Sequence, residues 1–139
     1  MVDRPLIFRK LDSLSLYVRQ LAEFRGVSLE EYKRDWKMQR IVERTLQMAV
    51  ETCVDIADHI ISDEGLRAPA SVTDAFTVLR EAGIFSETLH GALVKMAKFR
   101  NVVVHQYDEV DADIVLAILT KHLGTFDAFR EEVLPYLKS

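Results

Sequence analysis

From Met38 to Ile60 the chain carries apolar or small side chains at Met38, Ile41, Val42, Thr45, Met48, Ala49, Thr52, Cys53, Ile56 and Ile60, mostly three or four residues apart. A strand repeats every second residue, so this spacing admits one regular structure, a helix with a single core-facing seam. Ser28, followed three residues later by Glu31, is a capping-box pattern that starts helix ahead of the seam. The apolar pattern resets near Asp35 and Trp36, which predicts a joint there, after which the long helix continues to about Ser62.

The rest of the chain obeys the same period. Ile7, Leu11, Leu14, Val18 and Leu21, spaced four, three, four and three, predict an amphipathic helix from about Pro5 to Phe24, with Gly26 as its stop. Gly65 and Pro69 mark a loop. Ser71 or Thr73 then caps a short helix through Ala82, which Gly83 ends. Ser86 caps a further helix with Leu89, Leu93, Met96, Ala97, Val103 and Val104 available to the core, ending near Tyr107. Asp111 caps the last one, which uses Ile114, Ile118, Leu119, Phe126, Phe129 and Val133, and Pro135 signals its end. No strand alternation, internal repeat or low-complexity tract interrupts the series. The expected fold is all-α, an antiparallel bundle of four to five helices in one domain over residues 1–139. A chain of 139 residues suffices to bury roughly two thirds of its unfolded surface in one core.

Composition narrows the function classes. Hydrophobic residues at 49% and charged residues at 29% suit a water-soluble globular protein. The uncharged apolar runs are too short for a bilayer, and Met1 to Lys10 has no cleavable apolar stretch, so a cytoplasmic protein without membrane contact is expected. Cys53 is the one cysteine, which rules out an intrachain disulfide and a thiolate metal cage and leaves a buried, inert thiol. Glu87 with His90 is half of a di-metal helical motif whose second copy is missing. The acids Asp108, Glu109, Asp111 and Asp113 lack the glycine and the distant glutamate of a calcium loop. His59 and His122 stand alone on helices, so neither metal nor cofactor is expected.

A net charge of −4 argues against sequence-blind attraction to nucleic acid, and basic groups must then be concentrated locally to matter. Lys33, Lys37, Arg40 and Arg44, spaced four, three and four, form such a stripe; Glu51, Asp55 and Asp58 form an acidic one further along. The bland account of both is a solvated helix surface. Lys37, Arg40 and Arg44 are nonetheless the candidate path for RNA.

Chemistry concentrates between Lys98 and Tyr107, where Arg100, Asn101, His105 and Tyr107 fall within eight residues around three core valines. On a helix turning about 100° per residue, Asn101 and His105 share a face and Arg100 lies nearly in line with Tyr107. Arginine offers a planar fork of donors for phosphate oxygens, and histidine is the side-chain type that exchanges a proton near neutral pH. The set suits a phosphate ester, and no metal ligand is needed.

Arg100-Asn101, three residues, then His105-Gln106-Tyr107 resembles the R-x4-H-x-Y motif of the HepT toxins, a branch of the HEPN ribonuclease superfamily. TLQMAVETCVDIADHII from Thr45, TDAFTVLREAGI from Thr73 and MAKFRNVVVHQYDEVD from Met96 are similar to that family in order and spacing, from about Ser28 onward. The motif shows no departure. The resemblance implies an all-helical homodimer with two copies of the motif in one cleft. It implies metal-independent endonucleolytic cleavage of RNA, with tRNA among the family's substrates. It also implies a partner, an MntA-like nucleotidyltransferase antitoxin that attaches AMP to the motif tyrosine, here Tyr107, and silences the toxin.

Cleaving RNA without metal needs a base for the 2′-hydroxyl proton, positive charge for the developing phosphorane and an acid for the leaving oxygen. His105 suits the proton transfer and Arg100 the charge. The motif holds one histidine per chain, so the second proton-transfer group is His105 of the partner subunit or Tyr107, which is a reason for a functional dimer. Asn101 either orients His105 or binds phosphate. Glu51 or Asp55 either orients Arg100 or is an ordinary structural partner. Two other readings compete: a non-catalytic helical module that dimerises and binds a nucleotide or a nucleotidyltransferase, and a structural protein whose motif closes a helix end.

Overall fold

The computed structural model describes residues 3–105 and 110–138. Seven α-helices account for most of them: α1 (Arg4–Ala22), α2 (Leu29–Arg34), α3 (Trp36–Glu64), α4 (Val72–Glu81), α5 (Glu87–His105), α6 (Ala112–Ala117) and α7 (Gly124–Lys138). A π-helical turn (Ile118–His122) joins the last two, and no strand occurs among the described residues.

Short-range chemistry explains where the helices start. Ser28 Oγ accepts from Glu31 N at 3.1 Å while Glu31 Oε1 accepts from Ser28 N at 3.3 Å, closing the capping box. Asp35 makes the joint. Its extended backbone ends α2, and its carboxylate accepts from Met38 N at 3.0 Å to open α3. Ser71, Ser86 and Asp111 accept from Asp74 N, Leu89 N and Asp113 N at 3.1, 3.2 and 2.8 Å. At the far end of α3, Gly65 sits at φ +62°, a left-handed conformation open to glycine, and Leu66 N donates back to Ile61 O at 3.0 Å.

The 29-residue α3 is the spine, about 43 Å long at 1.5 Å per residue, and α1, α4 and α5 pack on it. Helix α5 also packs on α4 and α7, and α1 closes against α7. The buried residues form one continuous cluster in which Val42, Leu46, Ala49, Cys53, Ile56 and Ile60 supply the α3 face. Phe85 stands between Phe76 and Phe129, with ring centroids 6.4 and 5.4 Å away. Cys53 is fully buried and its thiol is pushed upward in pKa by that burial, as expected of an inert sulfur.

Four details differ from the sequence reading, the first being the helix count: the single last helix expected from Asp111 to Pro135 is two, α6 and α7, joined by the π-helical turn. Ile41 belongs to the seam by spacing but is 53% exposed, because it lies about 100° around α3 from Val42, which defines the buried face. Ile114 is likewise exposed, and its neighbour Val115 takes the core position of α6. Pro135 does not end α7, which runs on to Lys138. The missing proline N–H falls in the last turn, opposite the exposed Glu131, and the burial of Leu137 holds that turn against the bundle.

Candidate active site

The crossing of α3 and α5 brings together side chains 49 residues apart. Arg100 Nε and Nη2 both donate to Oε1 of Glu51, at 3.2 and 2.9 Å, and Nη1 donates to Oδ1 of Asn101 at 3.2 Å. Gln47, one turn before Glu51, donates to the same oxygen at 3.1 Å and fixes the carboxylate from behind. Arg100 is 22% and Glu51 36% exposed, so the pair lines the surface and is not sealed in the core. A guanidinium has five N–H donors; three are used here, and two have no protein partner among the described residues. The pair borders a shallow cleft of about 280 Å³ whose other walls are Val54, Asp55 and Val72.

The remaining site residues are arranged around this pair. Between the two carboxylates that sequence offered as partners for Arg100, Glu51 makes the contact, while Asp55 lines the cleft and meets Lys10 Nζ at 3.5 Å. Asp58, about one turn further, has its carboxyl pushed up in pKa by burial and by the charge of Asp55, against a smaller opposing effect of His59. His105 is the last described residue of α5 and is exposed. Asn101 is half-buried one turn before it and faces Arg100 through its amide oxygen. Around a helix axis Arg100 and His105 stand about 140° apart, so their Cα–Cβ bonds leave α5 in divergent directions. Tyr107 lies outside the described residues.

Lys37, Arg40 and Arg44 are all exposed on the first three turns of α3. Arg40 meets Glu43 at 3.4 Å; Glu43 is mostly covered, and its carboxyl is raised in pKa by that burial against the opposing charge of Arg40. Arg44 is seven residues before Glu51, hence about 10 Å along the axis and nearly on the same face. The basic stripe therefore leads toward the Arg100 cleft. Gln47 and Lys10 were missed in the sequence. Gln47 was legible, since it precedes Glu51 by one turn; Lys10 comes from α1, and nothing local points from it to Asp55.

The Glu87 and His90 pair has structural partners. His90 Nε2 is 2.8 Å from Thr77 Oγ1, and Glu87 meets Arg80 at 3.7 Å. His59 and His122 are exposed. No helix among the described residues is long and apolar enough to cross a membrane.

A family model described as Ribonuclease HepT-like matches residues 14–133. The mRNA nuclease HepT of Shewanella oneidensis is 32% identical over 124 residues, which cover 89% of this chain and 92% of that protein. The tRNA nuclease HepT of Aphanizomenon flos-aquae is 28% identical over 138 residues, 98% of this chain and 92% of that one. Among solved structures, a tri-AMPylated Shewanella oneidensis HEPN toxin in complex with MNT antitoxin aligns with a TM-score of 0.86 at 30% identity, covering 97% of this chain and 99% of its own. With a matched segment that reaches from α1 into α7 and holds the whole Arg100–Glu51 site, the chain belongs to the HepT-like ribonucleases.

Proposed function

We propose that this protein is the toxin of a toxin–antitoxin pair, an endoribonuclease that cuts RNA without a metal ion. The observation that carries the reading is Arg100, held in orientation by one carboxylate oxygen and one amide oxygen, with two N–H groups left over at the edge of a cleft. Such a guanidinium binds two oxygens of a phosphodiester and favours the added negative charge of a phosphorane. His105 takes the proton of the 2′-hydroxyl, the 2′-oxygen attacks phosphorus, and the bond to the 5′-oxygen breaks. The products are a 2′,3′-cyclic phosphate and a 5′-hydroxyl, the latter protonated by His105 of the partner subunit or by Tyr107. Asn101 steadies the Arg100 fork, and Lys37, Arg40 and Arg44 hold the flanking phosphates.

The dimer in this reading answers the 140° divergence of Arg100 and His105 within one chain. Its support is a mainly apolar groove of about 540 Å³ between α5 and α6, walled by Met96, Phe99, exposed Ile114 and Ile118. The groove follows the helix that carries the motif, so a second copy seated there brings two motif ends together. Regulation in this reading falls on Tyr107, where a nucleotidyltransferase antitoxin attaches AMP; the added phosphate and nucleotide occupy the place of the substrate phosphate. The AMPylated Shewanella toxin in complex with its antitoxin supports this by similarity. Two relatives named for different substrates, mRNA and tRNA, leave the substrate of this chain at the level of RNA.

The test is cleavage of RNA in excess EDTA by unmodified protein, beside His105→Ala and an AMP-modified sample identified by mass spectrometry. Cleavage by the unmodified wild type alone is the expected result. No cleavage by either wild type or His105→Ala, with RNA or nucleotide still bound by both, would instead make the protein a binding module.

A further inference from the structure

Trp36 has no place in the reaction above, yet it is the most exposed large hydrophobic side chain described, at 64%. One exposed indole is ordinary on a protein surface; what marks this one is its neighbours. Lys33, Arg34, Lys37, Arg40 and Arg44 all fall within eight residues of it and are exposed. Of the four carboxylates within the same span, Asp35 caps α3, Glu31 closes the Ser28 capping box and Glu43 is largely buried against Arg40, so that Glu30 is the exposed acid left to set against five exposed cations. Lys33, Lys37 and Arg44 have no ion pair among the described residues, although the whole chain carries a net −4. Lys37 Nζ lies 5.9 Å from the indole centroid, on one side of the ring.

Trp36, Arg40 and Arg44 are four residues apart in turn, so they form one gently winding row on α3. That row continues to Gln47 and Glu51, and through Glu51 to Arg100. An aromatic face set among cations is the means by which many proteins hold unpaired nucleic acid, with bases stacked on the ring and phosphates tracked by the cations. A protein partner would call for apolar company around the indole, and among the described residues the nearest exposed large hydrophobic on α3, Ile41, stands about 140° around the axis from it.

We infer that Trp36 is a stacking platform for an unpaired base of the RNA substrate, a few nucleotides from the bond that is cut. The inference rests on the ribonuclease reading and deepens it, because it restricts the substrate to RNA that is single-stranded over this span. Trp36 and Glu51 are about 22 Å apart along the axis at 1.5 Å per residue, a length covered by a bound strand at the small end of the usual 4–16 nucleotide site. Duplex RNA keeps its bases stacked on one another and offers none to the indole.

The chain has one tryptophan, so its emission reports on this position alone. Full-length His105→Ala, titrated with a short oligoadenylate, should show saturable quenching of that emission, and a duplex of equal length should not produce it. In the otherwise wild-type protein, Trp36→Ala should raise KM for a single-stranded substrate about tenfold with a much smaller effect on kcat. Trp36→Phe should recover most of the loss. Binding by anisotropy without quenching, or an unchanged KM in Trp36→Ala, overturns the stacking role while leaving cleavage intact. Emission that follows protein concentration and ignores RNA also overturns it, and assigns the indole to a contact between copies of the chain. If wild type neither binds nor cuts RNA, the stacking role falls together with the reading beneath it.

Discussion

Arg67 and Arg100 are both tied to carboxylates on other segments, yet the two regions around them do opposite things. Arg67, in the loop between α3 and α4, gives Nη1 and Nη2 to both oxygens of Asp74 at 2.7 and 2.9 Å, and Nε and Nη2 to Glu81 at 2.9 and 3.3 Å. Ala70 N donates to Asp74 as well, at 2.8 Å. The loop is thereby clipped to α4, and the Asp74 carboxyl is held down at about 2 by the Arg67 hydrogen bonds and then by that backbone donor. Arg100 shares one oxygen of Glu51 between two donors and keeps others open to the cleft. A guanidinium whose fork is filled by the protein serves structure; one that is only steered has capacity for a phosphate.

The contrast breaks most visibly at Arg100. Arg100→Ala should lower cleavage by about 10²–10³, the loss typical of one missing charge-stabilising donor set, with little change in thermal midpoint. Arg100→Lys should recover only a small part, because one ammonium cannot both hold Glu51 and span two phosphate oxygens. Rates measured on correctly folded variants decide this, and a wild-type rate in Arg100→Ala would make the residue structural.

Arg67→Ala should reverse the pattern, leaving cleavage unchanged and lowering the thermal midpoint. The deficit depends on pH in a fixed sense. Because the folded-state value of Asp74 is depressed from 3.8 to about 2, the contribution is complete above roughly pH 4 and disappears as pH falls through 2. Glu81 is lowered by the same arginine and adds in the same direction. Melting wild type and Arg67→Ala at several acidic pH values should therefore show two curves that converge toward pH 2. The smallest effect belongs to Lys10→Ala. Its exposed 3.5 Å contact with Asp55 should change stability by less than about 0.5 kcal/mol in a denaturant titration.

Much of the fold was legible because its signals are local. The joint at Asp35, the box of Ser28 and Glu31, and the caps at Ser71, Ser86 and Asp111 each act over two to four residues. Arg100, Asn101 and His105 stood out for the same reason, being neighbours on one helix. The misreadings arose where packing outweighed a local rule. Pro135 stays helical because Leu137 is buried beyond it, and Ile41 stays in solvent because its side of α3 is left uncovered by the described residues.

The sequence by itself determined that the chain is helical, where most helices begin, and that an arginine and a histidine share α5, since periodicity and capping depend on residues within a turn or two. Only the tertiary structure decided that Glu51 and not Asp55 takes Arg100, and that Gln47 braces it. Those two carboxylates are one turn apart on α3, and the choice between them follows from how α3 and α5 cross. That crossing is set by the packing of the whole bundle, which no short-range pattern records.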